Sequence, residues 1–349
     1  MSQATHSSVP TGRILVGDVR DRLAELPDAS VDCVITSPPY WAMRDYGNDG
    51  QVGAEVDVEA WAAEIASICD QLARVLVPTG SLFLNLGDGY SRHEREGATK
   101  KSLLLGPSRV ALRLTRSGWL LRNTIVWAKP NPTPSSVRDR FTNAHEYVYF
   151  FTRQASYTFD LDAVREPAKT AGAGRSSSRA RPTLPRTAVP SLGGGSSPRV
   201  DLNHGLARLK RAGIASHPLG KNPGDWWVEA TGSYRGAHFA TFPLRIVRRG
   251  LLATCPERVC VSCAAPWQRA PQRLHGRLLA TGPLRLACNC RADWRPGRVL
   301  DPFMGSGTTA VAAEMYGRDW VGIELNPEYA RLAEERLAAW RATQVGAVS

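Results

Sequence analysis

The chain reads as an α/β protein: a doubly wound, Rossmann-like parallel sheet with a basic insertion and a small cysteine-rich lobe. Three observations predict this. Short runs rich in β-branched residues alternate with stretches of helical periodicity from residue 13 to 151, the pattern of parallel strands joined by crossover helices. A strand, a glycine-rich turn and a helix follow one another near the carboxyl end, from Arg298 to Tyr316. Between these two regions lie a stretch poor in large apolar residues and a cluster of cysteines.

Length and composition set the frame. A chain of 349 residues, 43% of them hydrophobic, can bury the core of one large domain with an inserted lobe. No apolar run approaches the roughly 18 residues of a membrane span, and no leader with a charged start and apolar middle precedes the first strand. A soluble, intracellular protein without a membrane partner is the expectation. The net charge of +12 points to a polyanionic partner. Eleven Lys or Arg residues against two acids lie between Arg165 and Asn222, so +9 of that charge sits in one stretch. With Ser176-Ser177-Ser178 and Gly193-Gly194-Gly195 inside it, this stretch reads as a partly disordered segment. It is either a solvated linker or a means of contacting phosphate backbone.

The elements follow in order. Ile14–Val16 is a strand ending at Gly17-Asp18, and 19–27 is helical. Val31–Ile35 is a buried strand. Trp61–Val77 places Ile65, Ile68, Cys69, Leu72, Val75 and Leu76 at helical spacing, and Pro78-Thr79-Gly80 stops it before the strand Ser81–Leu86. Ser108–Ser117 is a helix ended by Gly118, Leu120–Trp127 a strand, and Lys129-Pro130-Asn131-Pro132 a rigid turn. A strand through Tyr147–Phe151 closes this half. Order resumes near Gly224-Asp225-Trp226-Trp227, and a helix runs from beyond Pro243 through Leu252. Arg298–Leu300 and Trp320–Ile323 are strands around the helix Ala310–Tyr316, and Pro327–Trp340 is an amphipathic helix.

Two loops carry chemistry. Thr36-Ser37-Pro38-Pro39-Tyr40-Trp41 follows a strand and cannot continue its ladder, because neither proline has an N–H. Each proline also holds its predecessor extended. The result is a stiff loop with outward carbonyls and two aromatic rings, able to accept hydrogen bonds from an amino group and to stack on a flat ring. Asp301-Pro302-Phe303-Met304-Gly305-Ser306-Gly307-Thr308-Thr309 follows another strand and opens a helix. Its glycines let a ligand approach the backbone, and Glu324, at the end of the next strand, is placed to hold ribose hydroxyls.

The first loop resembles the catalytic loop of the amino-methylating DNA methyltransferases, in its TSPPYW form. The second resembles their S-adenosylmethionine motif. The catalytic loop precedes the cofactor loop, as in the family's beta group, which implies a circularly permuted methyltransferase sheet. Gly17-Asp18 resembles the motif whose acid meets the cofactor's adenine, and His238–Pro243, with His238, Phe239 and Phe242, the segment over its methionine part. The resemblance spans about 13–155 and 224–340. It implies methyl transfer to the exocyclic amino group of a base flipped from double-stranded DNA. Ser37 and the Pro38 carbonyl would orient that group, with Pro39 stiffening the loop and Tyr40 stacking the base. Asp18, Asp301, Phe303, Gly305, Ser306, Gly307, Thr308 and Glu324 would hold the cofactor. Ser37, where adenine-modifying relatives usually carry Asp or Asn, resembles the cytosine-N4 enzymes; adenine-N6 is the alternative. A cognate restriction endonuclease and a place near the nucleoid go with such an enzyme. His145 and Glu146 read as serving the fold.

Five of the seven cysteines lie between 255 and 290, which in an intracellular protein favours metal over disulfides. Cys260-x-x-Cys263 and Cys288-x-Cys290 offer four thiolates, the donor set of a closed structural zinc site; ordinary free thiols are the other reading. The resulting division is a catalytic half at 13–155, a target-recognition insertion at 156–223, a further methyltransferase segment at 224–254, a zinc lobe at 255–292 and a cofactor half at 293–342. A catalytically silent zinc-dependent DNA-binding protein and a dinucleotide-dependent oxidoreductase are the rivals. The oxidoreductase would need a third glycine where Thr308-Thr309-Ala310 stands.

Overall fold

The computed structural model describes residues 10–43, 47, 50–167, 219–231, 242–274, 277–279 and 282–345. The amino-terminal half contains β1 (Gly12–Val16), α1 (Val19–Ala24), β2 (Val31–Thr36), α2 (Val58–Val75), β3 (Leu76–Leu86), α3 (Gly106–Arg116), β4 (Leu120–Ala128) and β5 (His145–Thr152). Next come β6 (Trp226–Val228) and α4 (Leu244–Thr254). Six short strands follow: β7 (Val259–Cys260), β8 (Gln268–Arg269), β9 (Gln272–Leu274), β10 (Arg277–Leu279), β11 (Leu284–Arg285) and β12 (Trp294–Arg295). The chain closes with β13 (Arg298–Asp301), α5 (Thr308–Met315), β14 (Asp319–Glu324) and α6 (Pro327–Val345).

Eight strands form one sheet in the order β1-β14-β13-β2-β3-β5-β4-β6. β2 is buried along its whole length, as its unbroken apolar run requires of a central strand. α1, α2 and α3 cover one face through Leu23, Trp61, Ile65, Leu72 and Val110. α4, α5 and α6 cover the other through Val247, Leu251, Ala312, Ala333 and Leu337. α5 follows β13 on one face and α2 follows β2 on the other, so these neighbouring strands flank a topological switch point, where α/β sheets bind ligands.

The sheet is mixed, which corrects the expectation of a parallel one. β5 runs antiparallel to both β3 and β4. The cause is in the connection: no helix lies between Ala128 and His145, and a parallel neighbour needs a crossover. β3 also begins at Leu76, directly after α2, five residues earlier than the turn residues Pro78-Thr79-Gly80 suggest. The edge strand β6 splits its tryptophans. Trp227 is buried, donates from Nε1 to the Gly224 carbonyl at 3.0 Å and lies under the Arg249 guanidinium, while Trp226 faces solvent.

Most of the expected basic insertion, residues 168–218, lies outside the described residues. Its flanks meet: Glu166 and Lys221 exchange both backbone hydrogen bonds, at 3.0 and 2.8 Å. The cysteine-rich stretch forms three antiparallel strand pairs, β7–β12, β8–β11 and β9–β10. Arg258 lies over both Trp267 and Trp294, whose rings meet edge to face at 6.3 Å. Arg295 joins this lobe to the sheet by donating to Asp32 of β2 at 2.6 Å.

Candidate active site

β2 ends at Thr36, and Ser37-Pro38-Pro39-Tyr40 leaves it at the carboxyl edge of the sheet. The loop is fixed from several sides. Trp61 Nε1 of α2 donates to the Pro39 carbonyl at 2.9 Å, and Trp41 Nε1 donates to the Glu55 carbonyl at 2.9 Å. The Tyr40 ring lies on Gly87, where a Cβ would stand 2.6 Å from its Cε2; only glycine allows that approach. Tyr40 Oη donates to Glu146 Oε2 at 2.7 Å. Asn85 Nδ2, from the end of β3, lies 2.6 Å from Tyr40 Oη, 2.9 Å from Glu146 Oε2 and 3.2 Å from Ser37 Oγ. Lys129 pairs with the other Glu146 oxygen.

The second loop is held by its own neighbourhood. Gly305 and Gly307 have φ of +51° and +78°, the left-handed region that favours glycine. Glu324 accepts from the Gly305 N–H through Oε2 at 2.7 Å and from the Asn326 N–H through Oε1 at 2.9 Å. Burial raises its carboxyl above the usual range against those donors. Arg336 of α6 donates to the Ser306 carbonyl, Ser306 Oγ and Thr308 Oγ1 at 3.0–3.1 Å.

Asp301 joins the two loops. Its Oδ1 accepts from Thr36 Oγ1 at 2.7 Å and the Phe303 N–H at 3.2 Å, and its Oδ2 accepts from Thr309 Oγ1 at 2.7 Å. It is fully buried, and burial pushes its carboxyl up to about 6. Both oxygens are engaged inside the protein, so Asp301 aligns the loops and does not itself reach the cleft. This replaces the expectation that it holds a ligand.

Both loops line one open cleft, together with Asp18, Gln51, Val52, Phe242, Asn326 and Tyr329. Among the expected residues, Ser37, Pro39, Asp18, Phe303, Gly305, Ser306, Thr308, Glu324 and Phe242 form its wall. Pro38 is buried behind Ser37, while Tyr40 and Gly307 stand back from the wall and shape it. Asp18 also caps α1, accepting from the Arg20 N–H at 2.8 Å. His238 and Phe239 lie outside the described residues. Sequence reasoning missed Asn85 and Lys129 and read Glu146 as a fold residue; all three support Ser37 and Tyr40. A polar Asn85 within an apolar strand was the available signal.

The arrangement is that of a known family. Residues 31–335 match the model of the N6/N4 DNA methylase family. The chain belongs to that DNA methylase family. It is 32% identical to the Type II methyltransferase M.SmaI of Serratia marcescens over 96% of this chain and 94% of that protein. It is likewise 32% identical to M.Cfr9I of Citrobacter freundii over 92% and 86%. The fold is shared with TTHA0409 of Thermus thermophilus in complex with S-adenosyl-L-methionine (TM-score 0.52, 22% identity, 95% and 94% covered). It is also shared with the cytosine-N4-specific PvuII DNA methyltransferase (TM-score 0.51, 19% identity, 95% and 91% covered).

This methylase also carries a cysteine cluster apart from the cleft. The sulfurs of Cys260, Cys263, Cys288 and Cys290 lie within 4.8 Å of one another. The Cys263 and Ser262 N–H groups aimed at the Cys260 sulfur bring that thiol down to about 7. Among the described residues no helix is long and apolar enough to cross a membrane.

Proposed function

We propose that the protein transfers a methyl group from S-adenosylmethionine to the N4 amino group of a cytosine flipped out of duplex DNA. One observation carries this reading: Ser37 and Glu324 line the same cleft, with Asp301 setting the Ser-Pro-Pro-Tyr loop against the glycine-rich loop. An exocyclic amino nitrogen shares its lone pair with the ring and is a poor nucleophile. Ser37 Oγ and the backbone beside it accept the amino hydrogens, which returns that lone pair to nitrogen and aims it. Tyr40, set back from the wall, fixes Ser37 from behind in place of stacking on the base. Glu324 and Asp18 bind the ribose and adenine of the cofactor, which supplies an activated methyl on a sulfonium. Phe242 and Phe303 exclude water from its methionine end. No covalent enzyme intermediate is needed.

The same reading takes the chain order, catalytic strand β2 before cofactor strand β13, as a circular permutation. It takes the cysteine cluster as a structural zinc site: four sulfurs at this separation fit an ion about 2.3 Å from each. The basic segment within 156–223 is the DNA-reading insertion of this scheme, between the divisions drawn at 13–155, 224–254, 255–292 and 293–342. A restriction endonuclease of matching specificity fits kinship with Type II methyltransferases.

The test is incubation with labelled S-adenosylmethionine and genomic DNA from a methylation-deficient host, followed by nucleoside analysis. N4-methylcytosine is expected. N6-methyladenine would keep the chemistry and overturn the role given to Ser37 in choosing the base. Metal analysis of the same preparation should find one equivalent of zinc, lost in Cys260→Ser.

A further inference from the structure

We propose that Ser37, Tyr40 and Glu146 form a one-way hydrogen-bond chain that holds Ser37 as an acceptor toward the target amino group and carries the released proton to Glu146. It rests on the methyl-transfer reading above.

The direction follows from counting hydrogens. A carboxylate only accepts, so the single hydrogen of Tyr40 Oη is committed to Glu146 Oε2, 2.7 Å away. Ser37 Oγ lies 3.2 Å from the same Tyr40 oxygen. With the tyrosine hydrogen spent, the hydroxyl of Ser37 must be the donor there. Asn85 Nδ2 has two hydrogens for three acceptors, Tyr40 Oη at 2.6 Å, Glu146 Oε2 at 2.9 Å and Ser37 Oγ at 3.2 Å; it only donates, so it takes away neither hydroxyl hydrogen. What Ser37 presents to the cleft it lines is therefore a lone pair. A free serine hydroxyl would serve an amino or a keto group equally; this one is committed to amino groups. Glu146 is itself fixed by Lys129, and the side chains of both are mostly buried, with 14% and 19% exposed.

The same chain disposes of the proton. The amino nitrogen's lone pair forms the new N–C bond, and the C–S bond of the sulfonium donor breaks with its electrons staying on sulfur. The nitrogen then carries a positive charge, the methyl group and both of its original hydrogens. One of these passes to Ser37 Oγ as the Ser37 proton passes to Tyr40 Oη and the Tyr40 proton to Glu146 Oε2. The ring ends neutral, both hydroxyls are regenerated, and Glu146 becomes a carboxylic acid until solvent takes its proton. A ring-conjugated ammonium is a far stronger acid than a carboxylic acid, so the transfer, made along the whole chain at once, runs downhill.

Glu146 touches no substrate in this scheme. It acts through Tyr40 and is a positioning residue. The deciding variant is Glu146→Gln, which keeps the shape and cannot take the proton. With labelled S-adenosylmethionine and genomic DNA, its single-turnover rate should fall about a hundredfold. Its KM for DNA, its cofactor Kd by calorimetry and its Tm should stay close to those of the wild type. Tyr40→Phe keeps the ring and removes the middle of the chain, so it should fall as far, and the double variant should be no slower than the slower single. Glu146→Asp should recover part of the rate. A wild-type rate in Glu146→Gln, an aspartate variant as slow as the glutamine one, or losses that multiply in the double variant would each overturn the chain. Wild-type protein that methylates no DNA would remove the underlying reading instead.

Discussion

The two sides of the cleft are built differently. The glycine-rich side is held by residues close to it in sequence: Glu324, Asn326 and Arg336 all fall within 36 residues of Asp301. The Ser-Pro-Pro-Tyr side is held by Trp61 of α2, Asn85 of β3, Lys129 just beyond β4 and Glu146 of β5. A ligand loop that folds with its own supports can be read as one motif. A loop whose supports arrive from across the sheet can be read only in part.

Substitutions on each side should therefore have separable effects. The largest is expected from Glu324→Ala, which removes the carboxylate proposed to hold the ribose and frees the Gly305 N–H. Losing two charge-assisted hydrogen bonds costs about 3–4 kcal/mol. Calorimetry should show cofactor binding weakened by about a hundredfold or more, with DNA affinity unchanged. Equal loss of both would mean that the two sides are not independent.

Asp301 tests the joint between them. Its folded-state value is raised to about 6 from 3.8, so the folded protein holds this proton more tightly than the unfolded chain. The stability this contributes is complete below about pH 4 and is lost as pH rises through 6, about 3 kcal/mol for a shift near two units. In urea titrations, Asp301→Asn should lack that decline between pH 4 and 6. An unchanged slope in the variant would show that Asp301 does not titrate there. A smaller effect is expected from Gly87→Ala, whose Cβ meets the Tyr40 ring at 2.6 Å. Overpacking of this kind costs about 1–3 kcal/mol. Methyl transfer should slow while cofactor Kd holds, and a wild-type rate would mean that Tyr40 tolerates displacement.

Much of this fold was legible because its signals are local. The apolar run of β2, the helical spacing from Trp61 to Val75, and the turn-helix at Gly305–Thr308 each announce themselves within a few residues. The antiparallel course of β5 did not, although the helix-free connection after Ala128 implied it. At the site, local signals were enough to pick out the two loops and Glu324 that meet at the cleft, but not the internal partners of Asp301. An acid after a strand has the same sequence signature whether it meets a ligand or, as here, the hydroxyls of Thr36 and Thr309. Glu146 was passed over for a similar reason. Nothing near it in the sequence shows that Tyr40, 106 residues away, donates to it.

The paired backbone bonds of Glu166 and Lys221 give residues 167–220 a common doorway. A segment that leaves and re-enters at one point can change length cheaply, since doubling a loop adds only about 0.6 kcal/mol of closure cost. Closure at one point therefore leaves the chain between the two anchors free to vary in length at little cost to the fold that carries them.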